Sequence, residues 1–110
     1  VRRVLSVNEI IGYDPKADAI VYVPVFVWDP VRDIFVFRGR GASYLLENKI
    51  ATMRGISRTQ MRKIYDEIEQ RAYFLRLLVE KKIFNYFDVW NAIVKTYEVG
   101  LDTAIKRLER

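Results

Sequence analysis

The sequence of 110 residues contains neither cysteine nor histidine. The absence of cysteine excludes disulfides, thiolate nucleophiles and cysteine-based metal sites. The absence of histidine excludes Ser-His-Asp and Cys-His triads, imidazole metal sites and a histidine pH switch. Phosphoryl transfer is among the few chemistries that remain, because it relies on backbone amides, Lys, Arg and Mg²⁺.

Long apolar runs and catalytic signatures are also missing. The longest apolar run, residues 19–28, is interrupted by Pro24 and is about half as long as a membrane-spanning helix. The sequence contains no Walker A, GxGxxG, HExxH, GxSxG or EF-hand pattern. Its one carboxylate cluster, at Asp66, Glu67 and Glu69, is typical of a salt-bridged solvent face. We therefore predict no catalytic, cofactor-binding or metal-binding residue.

The composition that is present indicates a folded domain with a basic surface. Apolar residues make up 51% and charged residues 30%, as in globular proteins. The net charge is +5, which suggests either an anionic partner or a basic surface of the kind found in thermophiles. The chain starts with Val1 in the middle of a strand-like pattern, so we expect a fragment of a longer protein.

The hydrophobic pattern changes period near residue 40, which predicts an α+β fold. The sequence is expected to form one domain, residues 1–110, with a β-meander over 1–38 and a helical tail over 43–110. The strands are predicted at Val4–Ile11, Ala19–Trp28 and Asp33–Phe37, and three or four helices follow. One of these helices is expected to run unbroken from Arg58 to Lys81.

Both faces of the second predicted strand are apolar. Strict alternation places Val21, Val23, Val25 and Val27 on one face, and Ile20, Tyr22, Phe26 and Trp28 on the other. Pro24 cannot donate to a ladder, so it marks a bulge, a bend or an edge. The helical tail can cover one face, so the four valines are a candidate interface, and the fragment is expected to self-associate or to leave this face open.

Apolar residues at helical spacing predict the inner side of each helix. For the first helix, capped by Ser43 and ended by Gly55, these are Leu45, Leu46, Ile50 and Met53. For the long helix, which opens with a capping box at Ser57 and Gln60, they are Met61, Ile64, Ile68, Ala72, Leu75, Leu78 and Val79. For the third, capped by Asn85, they are Val89, Trp90, Ile93, Val94 and Tyr97, with Tyr86 in the same core stripe. Asp102 is expected to cap a closing helix that buries Ala104, Ile105 and Leu108.

A tight hairpin is predicted between the second and third strands. Pro30 presets the backbone for the first turn position, and the Asp29 carboxylate can accept backbone N–H bonds ahead of it. Trp28, Asp29, Pro30 and Asp33 are therefore predicted to be structural, with Trp28 and Pro30 fixing the hairpin and anchoring it on the helices.

Arg2 and Arg3 precede the first strand and are candidates for contact with phosphate. An arginine can contact a phosphate group that other residues bind, because its guanidinium is planar, permanently charged and rich in hydrogen-bond donors. The alternative is an ordinary exposed pair.

The chain resembles the carboxy-terminal end of archaeal type II/type IV secretion-system ATPases, the motors of pilus, archaellum and secretion machinery. The resemblance rests on Arg2-Arg3 entering a strand and on the hairpin motif Phe26-x-Trp28-Asp29-Pro30-x-x-Asp33-x-Phe35. Segments 71–75 and 86–93 resemble the helical tail of that family, so the similarity covers nearly the whole chain.

The resemblance implies a module without catalysis of its own. The family's phosphate-binding loop, acidic boxes and histidine box lie upstream of the arginine pair, so ATP and Mg²⁺ are implied for the parent chain and no cofactor for this fragment. The implied partners are the rest of the motor, the other protomers of a homo-hexamer and the membrane platform protein. The implied location is the cytoplasmic face of the membrane, and no nucleic acid is implied.

A winged-helix-like nucleic-acid-binding domain is the alternative function, since the chain is basic and combines a β-hairpin with helices. The candidate recognition helix carries Asp and Glu among its Arg and Lys, and these would repel phosphates.

Overall fold

A three-stranded antiparallel sheet precedes four α-helices in the computed structural model, which describes residues 3–110. The strands are β1 (Ser6–Asp14), β2 (Ala19–Asp29) and β3 (Ile34–Phe37), in the spatial order β1-β2-β3. The predicted α+β class and the three-stranded meander are confirmed.

The helical part begins with a π-helical stretch, Leu45–Ile50, that continues into a short α-helical turn, α1 (Ala51–Met53). A 3-10 turn, Arg58–Gln60, precedes α2 (Arg62–Glu80), and α3 (Tyr86–Val99) and α4 (Leu101–Glu109) follow. The predicted unbroken helix from Arg58 is wrong in its first turn, where the i→i+3 bond from Met61 N–H to Arg58 C=O is formed.

The chain divides into two compact units at a boundary inside α2, between Ile64 and Tyr65. The first unit contains the sheet, the π-helical stretch and the start of α2, and the second unit, Tyr65–Arg110, contains the rest of α2 with α3 and α4. Among residues 3–110, no helix is both long and apolar enough to cross a bilayer.

Two bulges shape the long hairpin of β1 and β2. Val7 pairs with Phe26 and Asn8 with Pro24, so Val25 is the extra residue on β2. The bulge beside Pro24 agrees with its predicted role, because proline interrupts the ladder there. A second register shift leaves Ile11 unpaired, and β1 continues to Asp14 instead of ending at Ile11. The strand was predicted to end at Ile11 because Gly12 was assigned to the turn that follows. Gly12 instead lies within β1, directly after the bulge.

The bulge at Val25 also breaks the alternation predicted for β2. Val27 is opposite Ser6, whereas Val23 is opposite Glu9. Ser6 and Glu9 are three positions apart in a regular part of β1, so they lie on opposite faces. Val23 and Val27 therefore lie on opposite faces too, and the prediction of a single valine face is wrong.

One face of the sheet is covered by the chain that follows β3. Glu9 is 7% exposed on this face, and its carboxylate accepts hydrogen bonds from the Ser43 hydroxyl and from the N–H groups of Tyr44, at 3.0 Å, and Leu45, at 3.3 Å. Ser43 in turn accepts from the Leu46 N–H at 3.0 Å, as its predicted capping role requires. These bonds satisfy the first donors of the π-helical stretch.

The predicted inner side of this first helix is wrong in part. Met53 is 86% exposed, and Leu45 and Ile50 are 40% and 36% exposed, whereas Ala51 is 2% exposed. The π geometry advances the side chains by a different angle per residue than an α-helix does. A stripe drawn with α-helical spacing therefore misses the buried side. Gly55 does have a positive φ, of 67°, at the end of the helix.

The core of the second unit lies between α2 and α4. It consists of Phe74, Leu77, Leu78, Ala104 and Ile105. The predicted stripe on α2 was right at Leu78 but wrong at Leu75 and Val79, which are 49% and 59% exposed. The prediction is also wrong at Ala72, which is exposed. Met61 and Ile68 are half-buried, and Ile64 is buried as predicted, with 2% of its surface exposed. The buried side of α2 therefore passes through Phe74 and Leu77, which the predicted stripe omitted.

The ends of α3 follow the sequence closely. The Asn85 side chain accepts from the Phe87 N–H at 2.9 Å, and Gly100 ends the helix with a φ of 90°. A φ in this range favours glycine, and it allows α4 to begin at the next residue, Leu101. Asp102 is therefore in the first turn of α4 and is not its cap, contrary to the prediction.

The aromatic stripe of α3 is not core, which contradicts the prediction. Tyr86, Trp90 and Tyr97 are 75%, 55% and 73% exposed. The buried side of α3 instead carries Val89, Ala92 and Val99, which pack against the core cluster.

Candidate interaction surface on the sheet

The second hairpin is fixed by side chains that bond within the turn. The Trp28 indole Nε1–H donates to Asp33 Oδ1 at 2.9 Å. Asp33 has a φ of 52°, in the left-handed region that Asp and Asn adopt more readily than other non-glycine residues. The half-buried Trp28 therefore bridges the two ends of a turn whose first position is the exposed Pro30.

Asp29 organises the same turn through both carboxylate oxygens. Its Oδ1 accepts from the N–H groups of Val31, at 2.9 Å, and Arg32, at 3.4 Å, while Oδ2 accepts from Arg32 Nε at 2.7 Å. The Arg32 guanidinium lowers the pKa of Asp29 below its ordinary value, and the Val31 N–H lowers it further. Because these bonds are local, they support the predicted structural role of the hairpin residues.

The candidate interface valines do not form one surface. Val25 is 4% exposed, Val23 and Val27 are half-buried, and Val21 is 44% exposed. Arg3 is exposed before β1, and Arg2 lies outside the described residues.

An open apolar surface exists instead at the far end of the β1–β2 hairpin. Ile10 is directly opposite Tyr22, and Tyr13 is directly opposite Ile20. Ile20 and Tyr22 are two positions apart on β2, so all four side chains lie on one face. Their exposed fractions are 72% for Ile10, 59% for Tyr22, and 58% for both Tyr13 and Ile20. We call these four residues the hairpin patch.

The turn next to the hairpin patch is held by polar contacts. Asp14 Oδ1 accepts from the Lys16 N–H at 3.0 Å, and Asp18 has a φ of 49°. The Tyr13 hydroxyl donates to Asp18 Oδ1, and this hydrogen bond raises the pKa of Tyr13. The patch is thus presented on an ordered hairpin.

The patch borders an edge of the sheet. β1 pairs only with β2 among the described strands, so its other edge is not paired within the sheet. Val7 and Ile11 on this strand are 49% and 51% exposed. A long apolar edge strand is a template for another strand or for a covering element. The surface can therefore act in docking, through apolar burial and main-chain hydrogen bonds.

Sequence reasoning missed the hairpin patch and the role of Glu9. Ile10 and Tyr13 were assigned to a strand and a turn without being paired with β2 residues. The available signal was Glu9 itself, the one carboxylate in the strand-like segment Val4–Ile11. A charge at such a position is buried only where hydrogen-bond donors meet it.

The described residues offer no cluster for metal chemistry. Within residues 3–110, no group of three or more Asp or Glu residues converges in a way that could hold a metal ion. Glu67 forms an ion pair with Arg71 at 3.6 Å, one helical turn away. This pairing agrees with the salt-bridged solvent face predicted for that part of α2.

The chain is similar to two archaeal proteins, both from Methanocaldococcus jannaschii. It is 44% identical over 101 residues to uncharacterized protein MJ0900, a match that covers 92% of this chain and 18% of the relative. It is 46% identical over 82 residues to uncharacterized protein MJ1287, a match that covers 74% of this chain and 28% of that relative. No protein-family profile matches the chain. The chain thus corresponds to less than a third of each of these two longer archaeal proteins.

Proposed function

We propose that this chain is a non-catalytic module of a hexameric ATPase that drives secretion or the assembly of a pilus or archaellum. In this role it completes the motor domain and contributes contacts to neighbouring protomers and to the membrane platform protein. The parent chain supplies the residues that bind ATP and Mg²⁺, and it works at the cytoplasmic face of the membrane.

The hairpin patch is the observation that carries the proposal. Four apolar side chains, each at least 58% exposed, lie together on an ordered hairpin beside an unpaired sheet edge. Contiguous exposed apolar patches are a feature of protein–protein interaction sites. At about 25 cal/mol per Å² of apolar area, covering a few hundred Å² is worth several kcal/mol, so the rest of a motor domain would gain stability by packing here.

Two further observations support a module within a larger machine. The match to this chain covers 18% of the length of MJ0900 and 28% of the length of MJ1287. The same kind of segment therefore occurs in two proteins of different size. The hairpin motif that carries the family resemblance forms a closed hydrogen-bonded unit through Trp28, Asp29 and Asp33.

Full-length MJ0900 provides a first test. We expect the purified protein to hydrolyse ATP and to assemble as a hexamer. A version without the 101 matched residues should lose assembly or turnover. Full-length protein without ATPase activity or hexamers would contradict the proposal.

A chimera tests the patch directly. This chain would replace the carboxy-terminal end of an archaeal secretion ATPase, with Tyr22→Glu or Ile10→Glu introduced into the hairpin patch. Both variants should prevent hexamer assembly while the separate 110-residue chain keeps its far-UV circular dichroism spectrum. Val31→Glu is the matched control, since Val31 is 91% exposed in the other hairpin and lies outside the patch. Equal assembly by all variants would refute the role of the patch.

A basic segment favours nucleic-acid binding as the second candidate. Residues 1–64 contain 11 basic and 6 acidic side chains, whereas Tyr65–Arg110 contains 8 of each. No acidic residue occurs between Glu47 and Asp66, and the basic residues in that interval, Lys49, Arg54, Arg58, Arg62 and Lys63, are all exposed. Fluorescence anisotropy with duplex DNA at several salt concentrations would distinguish the two functions. Tight binding with a steep salt dependence, a log–log slope of about −0.9 per phosphate contact, would favour the nucleic-acid candidate.

A further inference from the structure

The outer side of α3 carries an apolar stripe that lies entirely within the second unit. Tyr86, Trp90, Ile93 and Tyr97 are separated by four, three and four positions, which places them on one side of an α-helix. Their exposed fractions are 75%, 55%, 36% and 73%. We call these four residues the α3 stripe.

A groove runs along the first part of the α3 stripe. Trp90 and Ile93 line it together with Phe84, which is 67% exposed in the segment between the helices. A separate hollow, which Ile93 also lines, includes the 49% exposed Leu75 of α2. At the far end, the Arg71 guanidinium lies 5.8 Å from the centre of the Tyr97 ring, a cation–π contact. Phe84 and Leu75 thus add exposed apolar area beside the stripe.

The exposed area is large for a surface that nothing covers. Since a fully exposed aromatic side chain contributes about 150–250 Å², the stripe with Phe84 and Leu75 exposes on the order of 700 Å². The largest apolar patch of a typical monomer is about 300–600 Å². Two such surfaces packed together would bury at most on the order of 1,400 Å², which is within the range of stable protein–protein interfaces.

We infer that the α3 stripe binds the same stripe of a second copy of this chain, with the two α3 helices antiparallel about a two-fold axis. The spacing of the stripe is the same in both chain directions. A two-fold axis between positions 91 and 92 therefore brings Trp90 of one copy against Ile93 of the other, and Tyr86 against Tyr97. An interface of this kind requires a self-complementary surface, and this spacing provides one.

The charge distribution also favours a second copy as the occupant. The unit that carries the stripe has 8 basic and 8 acidic side chains, so two such units meet without net repulsion. The excess positive charge of the chain belongs to the other unit. This inference uses no residue of the hairpin patch and does not depend on the proposed function.

Sedimentation velocity of the 110-residue chain tests the inference. The wild type should show a monomer–dimer equilibrium between about 10 µM and 1 mM. Trp90→Glu places an unpaired charge at the centre of the interface, and we expect it to weaken dimerisation at least about tenfold. Asn91→Glu is the matched control, because Asn91 is exposed on the same helix but follows Trp90 by one residue, about 100° around the axis. It should dimerise like the wild type.

Each other outcome contradicts the inference. A wild type that stays monomeric over this range, or a Trp90→Glu variant that dimerises as strongly as the wild type, would overturn it. Equal loss of dimer in Asn91→Glu and Trp90→Glu, with both variants folded by circular dichroism, would move the interface away from the α3 stripe. Tyr22→Glu separates the two surfaces of the chain. Loss of the dimer in Tyr22→Glu but not in Trp90→Glu would assign self-association to the hairpin patch instead.

Discussion

The carboxylate of Glu9 and the hydroxyl of Ser43 are hydrogen-bonded across a separation of 34 residues. This contact joins the middle of β1 to the start of the π-helical stretch. Because the same carboxylate also accepts from the N–H groups of Tyr44 and Leu45, it serves as a helix cap supplied by a strand. A negative charge at this position also interacts favourably with the helix terminus. The bond therefore fixes which face of the sheet is covered and, by exclusion, which face carries the hairpin patch.

Removing the Glu9 carboxylate should destabilise the chain substantially. Glu9→Ala is expected to lower the free energy of unfolding by about 2–3 kcal/mol, because buried donors lose a charged acceptor. Glu9→Gln retains one acceptor oxygen and should lose about 1–2 kcal/mol. Urea unfolding followed by circular dichroism measures both. The neighbouring exposed Asn8 provides the control, and Asn8→Ala should stay within about 0.5 kcal/mol of the wild type. Equal stability of Glu9→Ala and Asn8→Ala would show that the cap contributes nothing.

Gly39 and Gly12 should respond oppositely to alanine. A Cβ at Gly39 would lie 2.5 Å from Phe37 Cε1 and 2.8 Å from the buried Val25 side chain, whereas at Gly12 nothing lies within 4 Å. Gly39→Ala is therefore expected to cost about 1–3 kcal/mol through overpacking. Gly12→Ala should be neutral or stabilising by up to about 1 kcal/mol, since it restricts the unfolded chain. Thermal unfolding of the pair gives the comparison, and a Gly39→Ala variant as stable as Gly12→Ala would contradict the close packing.

The ion pair of Asp29 and Arg32 should make the second hairpin sensitive to acid. The pKa of Asp29 is lowered in the folded chain from its ordinary value of 3.8. The resulting stability is present above pH 3.8 and is lost as the pH falls through the lowered folded value. Asp29→Asn keeps an acceptor for the Val31 N–H but removes the charge. The stability difference between wild type and variant should therefore shrink between about pH 5 and pH 2 in urea titrations. A constant difference over this range would refute the coupling.

The local parts of the fold could be predicted from the sequence, because they depend on residues close to one another. Asn85 and Gly100 bound α3 as expected, since capping and positive φ are properties of single positions. The Trp28–Asp33 hairpin also follows from neighbouring residues. The change from strand to helix near residue 40 was clear because the period of the apolar pattern changes there.

The surfaces could not be predicted, because they depend on register and on packing between distant residues. A single extra residue at Val25 puts Val23 and Val27 on opposite faces, and no local signal fixes which residue of β1 the bulge meets. The α3 stripe has the spacing expected of residues that face a core. Only the packing around Phe74 and Ile105 shows that a different side of α3 faces the core. Hydrophobic spacing identifies a side of a helix that will be buried, but it does not say whether this chain or another molecule buries it.

Trp28 should stabilise the second hairpin through both its ring and its indole N–H. Truncation of a fully buried aromatic costs about 3–5 kcal/mol, but Trp28 is half-buried, so we expect Trp28→Ala to cost about half as much. Trp28→Phe keeps most of the apolar contact and removes only the 2.9 Å bond to Asp33, which is worth about 0.5–1.5 kcal/mol. Asp33→Asn is the matched control, because asparagine keeps an acceptor oxygen and tolerates the positive φ. Urea unfolding should rank the stability as wild type, Asp33→Asn, Trp28→Phe and Trp28→Ala, in falling order. If Trp28→Phe were as stable as the wild type while Asp33→Asn were not, the turn would depend on the Asp33 charge and not on the indole hydrogen bond.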